Sequence, residues 1–176
     1  VPIRVMIVED SPSVTVLLRA IIDADPRLEV AAAVESGEKA LDIVDKVKPD
    51  VISMDIRLPG INGLMVTQRI MATYPTPIVV VSASIESEEM KISMNALRAG
   101  ALSVVEKPMG TSHEDFEDIA HNLCNQLVIM SEVKVVKQRI RRNVDFSFGI
   151  AGENRTPEPS PSIDSLAISP ARDMSV

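Results

Sequence analysis

Short apolar runs alternate with amphipathic stretches along the first two-thirds of the chain. A short run of apolar residues between turn residues is typical of a strand that is buried on both faces of a parallel sheet. Four such runs are Ile3 to Val8, Val51 to Met54, Ile78 to Val81 and Leu102 to Val105. The Ala-rich segment Leu28 to Val34 is a weaker candidate that suits an edge strand.

The segments between these runs have a helical period, with apolar residues at every third or fourth position. The pattern predicts helices around Val14 to Ile22 and Ala40 to Val47, from Gly63 to Tyr74, from Ser87 to Ala99, and from near Ser112 onward. In the fourth helix we expect Met90, Met94 and Leu97 to face inward. Five strand–helix units in succession predict an α/β fold with a doubly wound, five-stranded parallel sheet.

The last helix is predicted to continue well past the sheet, from Ser112 to about Arg142. Acidic residues crowd its first two turns, basic residues crowd its last turns, and neither Pro nor Gly interrupts it. We expect residues 129–142 to form an extended C-terminal helix that packs against an output domain or a second copy. Residues 1–128 then form the main domain, and the Pro- and Ser-rich residues 143–176 form a linker or disordered tail.

Composition and charge exclude several classes of protein. Aromatic residues make up 2% of the chain and all apolar residues 45%, so the core has to be aliphatic. The formal net charge of -7 argues against a nucleic-acid partner, because phosphate binding needs a positive surface. Cys124 cannot form an internal disulfide, and neither a leader nor a long apolar run is recognisable. We therefore expect a cytoplasmic protein with no membrane partner.

Charged and hydroxyl side chains collect where the predicted strands end. Glu9 and Asp10 follow the first strand, Asp55 follows the third, Ser82 the fourth and Lys107 the fifth. In a sheet with strand order 2-1-3-4-5 the first and third strands are neighbours, so the three carboxylates meet at one edge. An oxygen-only cluster selects a hard ion such as Mg²⁺. Phosphoryl transfer needs a metal ion, an ammonium, a hydroxyl and a nucleophile, for which Asp55 is the candidate.

Four short motifs, in this order and spacing, resemble those of the two-component response-regulator receiver family. They are IVED at Ile7 to Asp10, MDIRLPGING at Met54 to Gly63, VVVSAS at Val79 to Ser84 and EKP at Glu106 to Pro108. The resemblance covers Ile3 to about Leu127 and implies the flavodoxin-like fold of that family. It also implies that the chain is a signalling switch and not an enzyme, since it catalyses only its own phosphorylation and dephosphorylation.

The resemblance implies a role for each matching position at the site. Asp55 accepts a phosphoryl group from a histidine kinase, and Ser82 and Lys107 contact that group. Pro108 is expected to follow a cis peptide bond. Receivers usually carry an aromatic switch residue where this chain has Val104, so we expect signalling to proceed from Ser82 by loop and helix movement.

The metal site and the output are implied in the same way. The metal ion is Mg²⁺ or Mn²⁺, and its ligands are Glu9, Asp10, Asp55 and the backbone carbonyl of Arg57. The stretches EDSPSV, RLPGINGL, PTPIVVVSAS and NLCNQLVIMSEVKV resemble most the regulatory half of a chemotaxis protein-glutamate methylesterase. In such proteins a hydrolase domain follows the linker, so the expected output is a methylesterase-type domain outside this chain.

A second hypothesis is a metal-dependent phosphohydrolase of similar α/β fold that uses Asp55 as a transient nucleophile. Such hydrolases typically carry an acid two residues after the nucleophile, where this chain has Arg57. A Ser-His-Asp hydrolase is also disfavoured, because the chain lacks a G-x-S-x-G elbow and its histidines, His113 and His121, lie in the last helical stretch. Turnover of added phosphomonoester separates the switch from the phosphohydrolase.

Overall fold

The computed structural model describes residues 1–83, 89–109 and 113–140, with the backbone alone for 89–93 and 113–114. The predicted helix start at Ser112 and the predicted tail 143–176 lie outside these residues. Strands and helices alternate throughout the described part, in the order β1 (Ile3–Val8), α1 (Pro12–Ala24), β2 (Leu28–Val34), α2 (Gly37–Val47), β3 (Val51–Asp55), α3 (Gly63–Thr73), β4 (Ile78–Ser82), α4 (Glu89–Ala99), β5 (Ser103–Glu106) and α5 (His113–Ser131).

The five strands form one sheet in the order β2-β1-β3-β4-β5, and every neighbouring pair is parallel. This confirms the predicted doubly wound α/β sheet and the position of the Ala-rich strand β2 at an edge. The chain extends the sheet to either side of β1 and β3, so the winding direction reverses between these two strands. Ligands of such sheets bind beyond the carboxyl ends of the strands at this point.

Successive residues of the central strands face opposite sides of the sheet, and both sides are buried. Val5 and Ile7 of β1 belong to a core that includes Leu18 of α1 and Leu123 of α5. Met6 and Val8 belong to a second core, packed against α2, α3 and α4, that includes Ile70. Burial on both faces explains why the strands are continuous apolar runs and do not alternate with polar residues.

The inward face of α4 differs from the prediction. Met94 and Leu97 are 50% and 47% exposed, whereas the buried residues of this helix include Asn95, Ala96 and Ala99. Two small alanines allow the helix to pack closely on the sheet, and this turns the longer apolar side chains toward solvent. Apolarity alone did not identify the helix face, and the Met90 side chain lies outside the described residues.

The predicted helix up to Arg142 is wrong in its described part, because α5 ends at Ser131. Short-range bonds close the last turn, where Glu132 N–H donates to Ile129 O at 3.4 Å and Val133 N–H donates to Met130 O at 3.1 Å. Residues 132–140, called here the C-terminal strap, have no regular secondary structure beyond that turn.

The strap crosses to the opposite side of the sheet from α5. Val135 packs against the core beneath α2, α3 and α4, and Gln138 N–H donates to Met71 O at 2.9 Å. The segment also has four β-branched residues, which favour helix less than unbranched residues do: Val133, Val135, Val136 and Ile140. Packing of the partly buried Val135 against the domain's own core therefore takes the place of the projecting helix.

No helix among the described residues combines the length and the apolar character that crossing a lipid bilayer requires.

Candidate functional site

The predicted site residues meet at the carboxyl edge of the sheet. Asp55 and Ser82 are the last residues of β3 and β4, while Glu9 and Lys107 directly follow β1 and β5. These four residues are buried, and Asp10 beside them is exposed. The strand order brings together residues that lie up to a hundred positions apart in the sequence, as the strand-end pattern predicted.

Lys107 joins the two buried carboxylates of the site. Its Nζ lies 2.7 Å from Glu9 Oε2 and 3.0 Å from Asp55 Oδ2. The backbone N–H of Lys107 donates to Ser82 O at 2.7 Å, which fixes the start of the segment after β5 against the end of β4. The ammonium is thus held between two carboxylates with little freedom to move.

The Glu9 carboxylate is only partly satisfied by its neighbours. Oε1 accepts a hydrogen bond from Ser11 N–H at 3.2 Å. Oε2 contacts Lys107 Nζ as an ion pair but has no well-directed hydrogen bond to any described residue. Burial raises the pKa of Glu9, and the negative charge of Asp55 adds to this, although Lys107 opposes both. An oxygen that is buried and poorly satisfied suggests that a further cation completes the site.

The pKa of Lys107 is set by two opposing effects. Burial alone would lower it, because the charged ammonium loses solvation. The close ion pair with Glu9 and the charge of Asp55 outweigh burial, so the pKa of Lys107 is raised above its ordinary value. Lys107 therefore stays charged at neutral pH.

Asp55 is positioned by the backbone that follows it. Arg57 N–H donates to Asp55 Oδ1 at 3.2 Å, and Gly63 N–H at the start of α3 donates to Ile56 O at 2.9 Å. A Cβ on Gly63 would lie 1.9 Å from Asp55 O, so only glycine lets α3 begin this close to the end of β3. The first residue of α3 therefore rests directly on the backbone of Asp55.

The carboxylates of Glu9, Asp10 and Asp55 can supply oxygen atoms that all lie within 4.8 Å of one another. The donors are oxygens only, which suits a hard divalent cation better than zinc. The poorly satisfied Oε2 and the raised pKa of Glu9 indicate crowding of negative charge that such a cation would relieve. The residues therefore fit a site for a hard metal ion.

Val104 and Pro108 are the two remaining predicted positions, and both lie on or just after β5. Val104 is half-buried on β5, opposite Val80, and packs against the core on the α3 and α4 side. Pro108 does not follow a cis peptide bond, so that prediction is wrong. Met109 N–H donates to Lys107 O at 2.8 Å, a three-residue turn around Pro108 that the commoner trans bond accommodates.

Sequence reasoning missed three features of the site. It did not predict that Lys107 contacts Glu9, nor that the backbone N–H of Ser11 supports Glu9. It identified Gly63 as a helix-start glycine but not its close contact with Asp55. The position of Gly63 soon after the strand-end acid was the available signal, because glycine often marks a close approach of backbones.

Comparison with known proteins agrees with this arrangement. The family model described as response regulator receiver domain matches residues 5–118. A protein-glutamate methylesterase/protein-glutamine glutaminase 2 from Paramagnetospirillum magneticum is 55% identical over 144 residues, covering 82% of this chain and 41% of that protein. A protein-glutamate methylesterase/protein-glutamine glutaminase from Nitrosospira multiformis is 45% identical over 139 residues, covering 79% of this chain and 39% of that protein. This chain spans less than half of the length of these relatives.

Solved structures give the same result. The response regulator domain of Thermotoga maritima CheB superposes with a TM-score of 0.68 and 34% identity, covering 76% of this chain and 99% of that one. The BeF3-activated receiver domain of Klebsiella pneumoniae RstA has a TM-score of 0.60 at 22% identity, covering 74% of this chain and 99% of that one. The second comparison supports the fold alone.

Proposed function

This chain belongs to the response regulator receiver domain family, and we propose that it is a phosphorylation-activated switch with Asp55 as its phosphoacceptor. The observation that carries this proposal is the buried ion-pair cluster in which Lys107 contacts both Glu9 and Asp55. Such a buried ion pair adds little to the stability of a fold, because removing both charges from water costs about as much free energy as their attraction returns. The same arrangement suits transfer of a phosphoryl group.

In the proposed reaction a carboxylate oxygen of Asp55 attacks the phosphorus of a histidine kinase's phosphohistidine. The P–N bond breaks, a P–O bond forms, and the histidine nitrogen leaves. Lys107 then pairs with a phosphoryl oxygen through its ammonium, and Ser82 contacts the same group at the end of the neighbouring strand. The Arg57 N–H bond to Asp55 Oδ1 holds the carboxylate in one orientation for the attack.

We further propose that Glu9, Asp10, Asp55 and the backbone carbonyl of Arg57 hold Mg²⁺ or Mn²⁺. The oxygen-only donor set within 4.8 Å supports this assignment. When bound, the ion supplies positive charge that offsets the charge of the transferred phosphoryl group. Glu9 and Asp10 then act as ligands and take no direct part in the transfer.

The proposed output is a methylesterase-type domain, because the curated relatives carry that description and this chain matches less than half of their length. Residues 1–128 would be the receiver unit, and residues 143–176 a linker to that output. With Val104 at the place of an aromatic switch residue, the signal would leave the site through Ser82 and the helices that follow the site. The chain itself would then have no methylesterase activity.

Metal-dependent labelling tests the proposal. The chain is incubated with acetyl phosphate, with and without Mg²⁺, and intact mass reports the phosphoryl group. We expect labelling of the wild type only with the divalent ion. Asp10→Asn should weaken metal binding and so raise the Mg²⁺ concentration that labelling requires, whereas Asp45→Asn, a change at an exposed acid of α2, should leave that concentration unchanged.

Two outcomes would contradict the switch. Equal labelling of the wild type with Mg²⁺ and with a chelator would contradict the proposed metal site. Rapid, repeated clearance of an added phosphomonoester would favour the phosphohydrolase instead, since a switch is labelled once and then decays.

A further inference from the structure

The C-terminal strap, residues 132–140, closes over the far ends of α3 and α4. Its anchor is Val135, which packs into the core on that side of the sheet, next to the exposed Val136. Its polar contact is the hydrogen bond of 2.9 Å from Gln138 N–H to Met71 O in the last turn of α3. The last carbonyls of a helix have no partner within the helix, so the strap satisfies a group that would otherwise need water.

The strap also lies against the end of α4. Gly100 follows α4 with φ +113, and a Cβ there would lie 2.9 Å from Gln138 Oε1 and 2.8 Å from Met71 Cγ. The Gln138 side chain, the end of α3 and the end of α4 therefore meet at one point. A shift of either helix would disturb this contact.

The strap is held at few points. A cavity of about 430 Å³ lies between it and α4, lined by Leu97, Arg98, Gln138 and Arg139. Lys134, Val136 and Lys137 are exposed. A segment with one partly buried side chain and an open space beside it belongs to the part of a protein that opens most easily.

The two helices beneath the strap are those that come after the site strands β3 and β4 in the chain. α3 starts at Gly63, which rests on the backbone of Asp55, and α4 is the helix that follows Ser82. Each helix has 11 residues, or about 16 Å of rigid element. The strap therefore contacts the far end of α3, whose first residue rests on the phosphoacceptor's backbone, and the far end of α4, the next helix in the chain after Ser82.

We propose that the C-terminal strap is a phosphorylation-sensitive clasp, which is docked on α3 and α4 while Lys107 pairs with the Asp55 carboxylate and is loosened when Asp55 is phosphorylated. The inference rests on the proposed function of Asp55. Its direction follows from the contacts: the strap fits the helix positions that accompany the Lys107 to Asp55 ion pair of 3.0 Å. A phosphoryl group on Asp55 replaces that pair and displaces the near end of α3, which rests on the Asp55 backbone. An output domain joined to the chain after the strap would thereby gain freedom to move.

Amide exchange of the strap tests the clasp in the full chain. Beryllium trifluoride, an analogue of the phosphoryl group on a carboxylate, is added with Mg²⁺, and exchange at Gln138 is followed by NMR. We expect exchange at Gln138 to accelerate at least about tenfold relative to Mg²⁺ alone. Exchange in β1 and β3 should change far less.

The affinity for beryllium trifluoride is a second readout, because strap release and binding of the analogue are thermodynamically linked. If the analogue loosens the strap, loosening the strap must strengthen binding of the analogue by the same factor. Val135→Asp, with the milder Val135→Ala beside it, should therefore raise the affinity for beryllium trifluoride several-fold. Val136→Asp places the same charge one residue away on an exposed side chain and should leave the affinity unchanged.

The outcomes separate the clasp from the switch. Binding of the analogue at Asp55 with unchanged exchange at Gln138 would overturn the clasp and leave the proposed function intact. Equal effects of Val135→Asp and Val136→Asp on affinity would overturn it as well. Failure of the analogue to bind would contradict the function of Asp55 itself, and the clasp with it.

Discussion

Two ion pairs at opposite edges of the sheet have the same separation of 2.7 Å and opposite effects on the acid. At the carboxyl edge, Glu9 contacts Lys107, and the pKa of Glu9 is raised. At the amino edge, Asp25 at the end of α1 contacts Arg27, and the pKa of Asp25 is lowered. Distance between the charges therefore does not decide which protonation state the fold favours.

The surroundings of the two acids account for the difference. Hydrogen bonds from the Arg27 side chain and backbone to Asp25 outweigh its partial burial. Glu9 is deeply buried, has Asp55 as a second negative neighbour, and shares its one lysine with that neighbour. A fold selected for stability alone would favour the first arrangement, so the second is better explained by the chemistry proposed for the site.

Removal of the shared lysine should have the largest effect. Lys107→Met keeps most of the side-chain volume but leaves two buried carboxylates without a counter-charge. We expect a loss of about 3–5 kcal/mol in the free energy of unfolding at neutral pH without divalent ions. Urea denaturation measures this, and Arg27→Met at the exposed pair is the control. Equal losses in both variants would contradict the comparison.

The pH dependence of the Glu9 variant should be the next largest effect. Because its folded pKa is raised, Glu9 contributes stability that is present below its ordinary value of 4.5 and is lost as pH rises through the folded pKa. Glu9→Gln has no carboxyl group to ionise at this position and does not lose that stability. Its stability relative to the wild type should therefore increase as pH rises toward 7 in a chelating buffer. Thermal unfolding across pH 4 to 8 measures it, and a gain in the opposite direction would refute the assignment.

In the described part of the chain, the hydroxyl oxygen of Thr67 is a second buried atom without a hydrogen bond, and it lies outside the proposed site. Thr67 in α3 is fully buried, and its hydroxyl has no hydrogen-bond partner among the described residues. Thr67→Val should therefore stabilise the fold by about 1 kcal/mol. Phosphorylation of the variant should equal that of the wild type, because this hydroxyl is not part of the site. A loss of labelling would show that unsatisfied groups do not distinguish the two regions.

The smallest effect is expected at the amino edge. The lowered pKa of Asp25 means that its contribution is present above its ordinary value of 3.8 and is lost as pH falls through the folded pKa. Asp25→Asn should therefore be less stable than the wild type at pH 7, with the difference vanishing in acid. This is the reverse of the Glu9→Gln profile, and the same thermal measurements check it.

The sequence predicted the parts of the fold that depend on local pattern and on strand ends. β1 and β2 have the predicted bounds, and Asp55 and Ser82 end their strands at one edge of the sheet. Both follow from runs of apolar residues and from parallel strand geometry. The roles of individual site residues go beyond pattern and stay proposals.

The errors concern choices that tertiary contacts decide. The charge gradient and the absence of Pro and Gly predicted a helix beyond Ser131, but packing of the partly buried Val135 on the other side of the sheet draws the chain away from it. The prediction of the inward face of α4 was wrong for a related reason, since close packing through Ala96 and Ala99 turned Leu97 outward. Local periodicity contains no information about which of two possible partners an apolar residue contacts.

The most direct test of the account is the chemical identity of the group that accepts phosphate. The chain is labelled with acetyl phosphate and Mg²⁺, treated with borohydride, which reduces an aspartyl phosphate to homoserine, and mapped by peptide mass spectrometry. We predict homoserine at position 55 in the wild type and no labelling of Asp55→Asn. Phosphate recovered on Ser82 or on another residue, or persistent labelling of Asp55→Asn, would contradict the account.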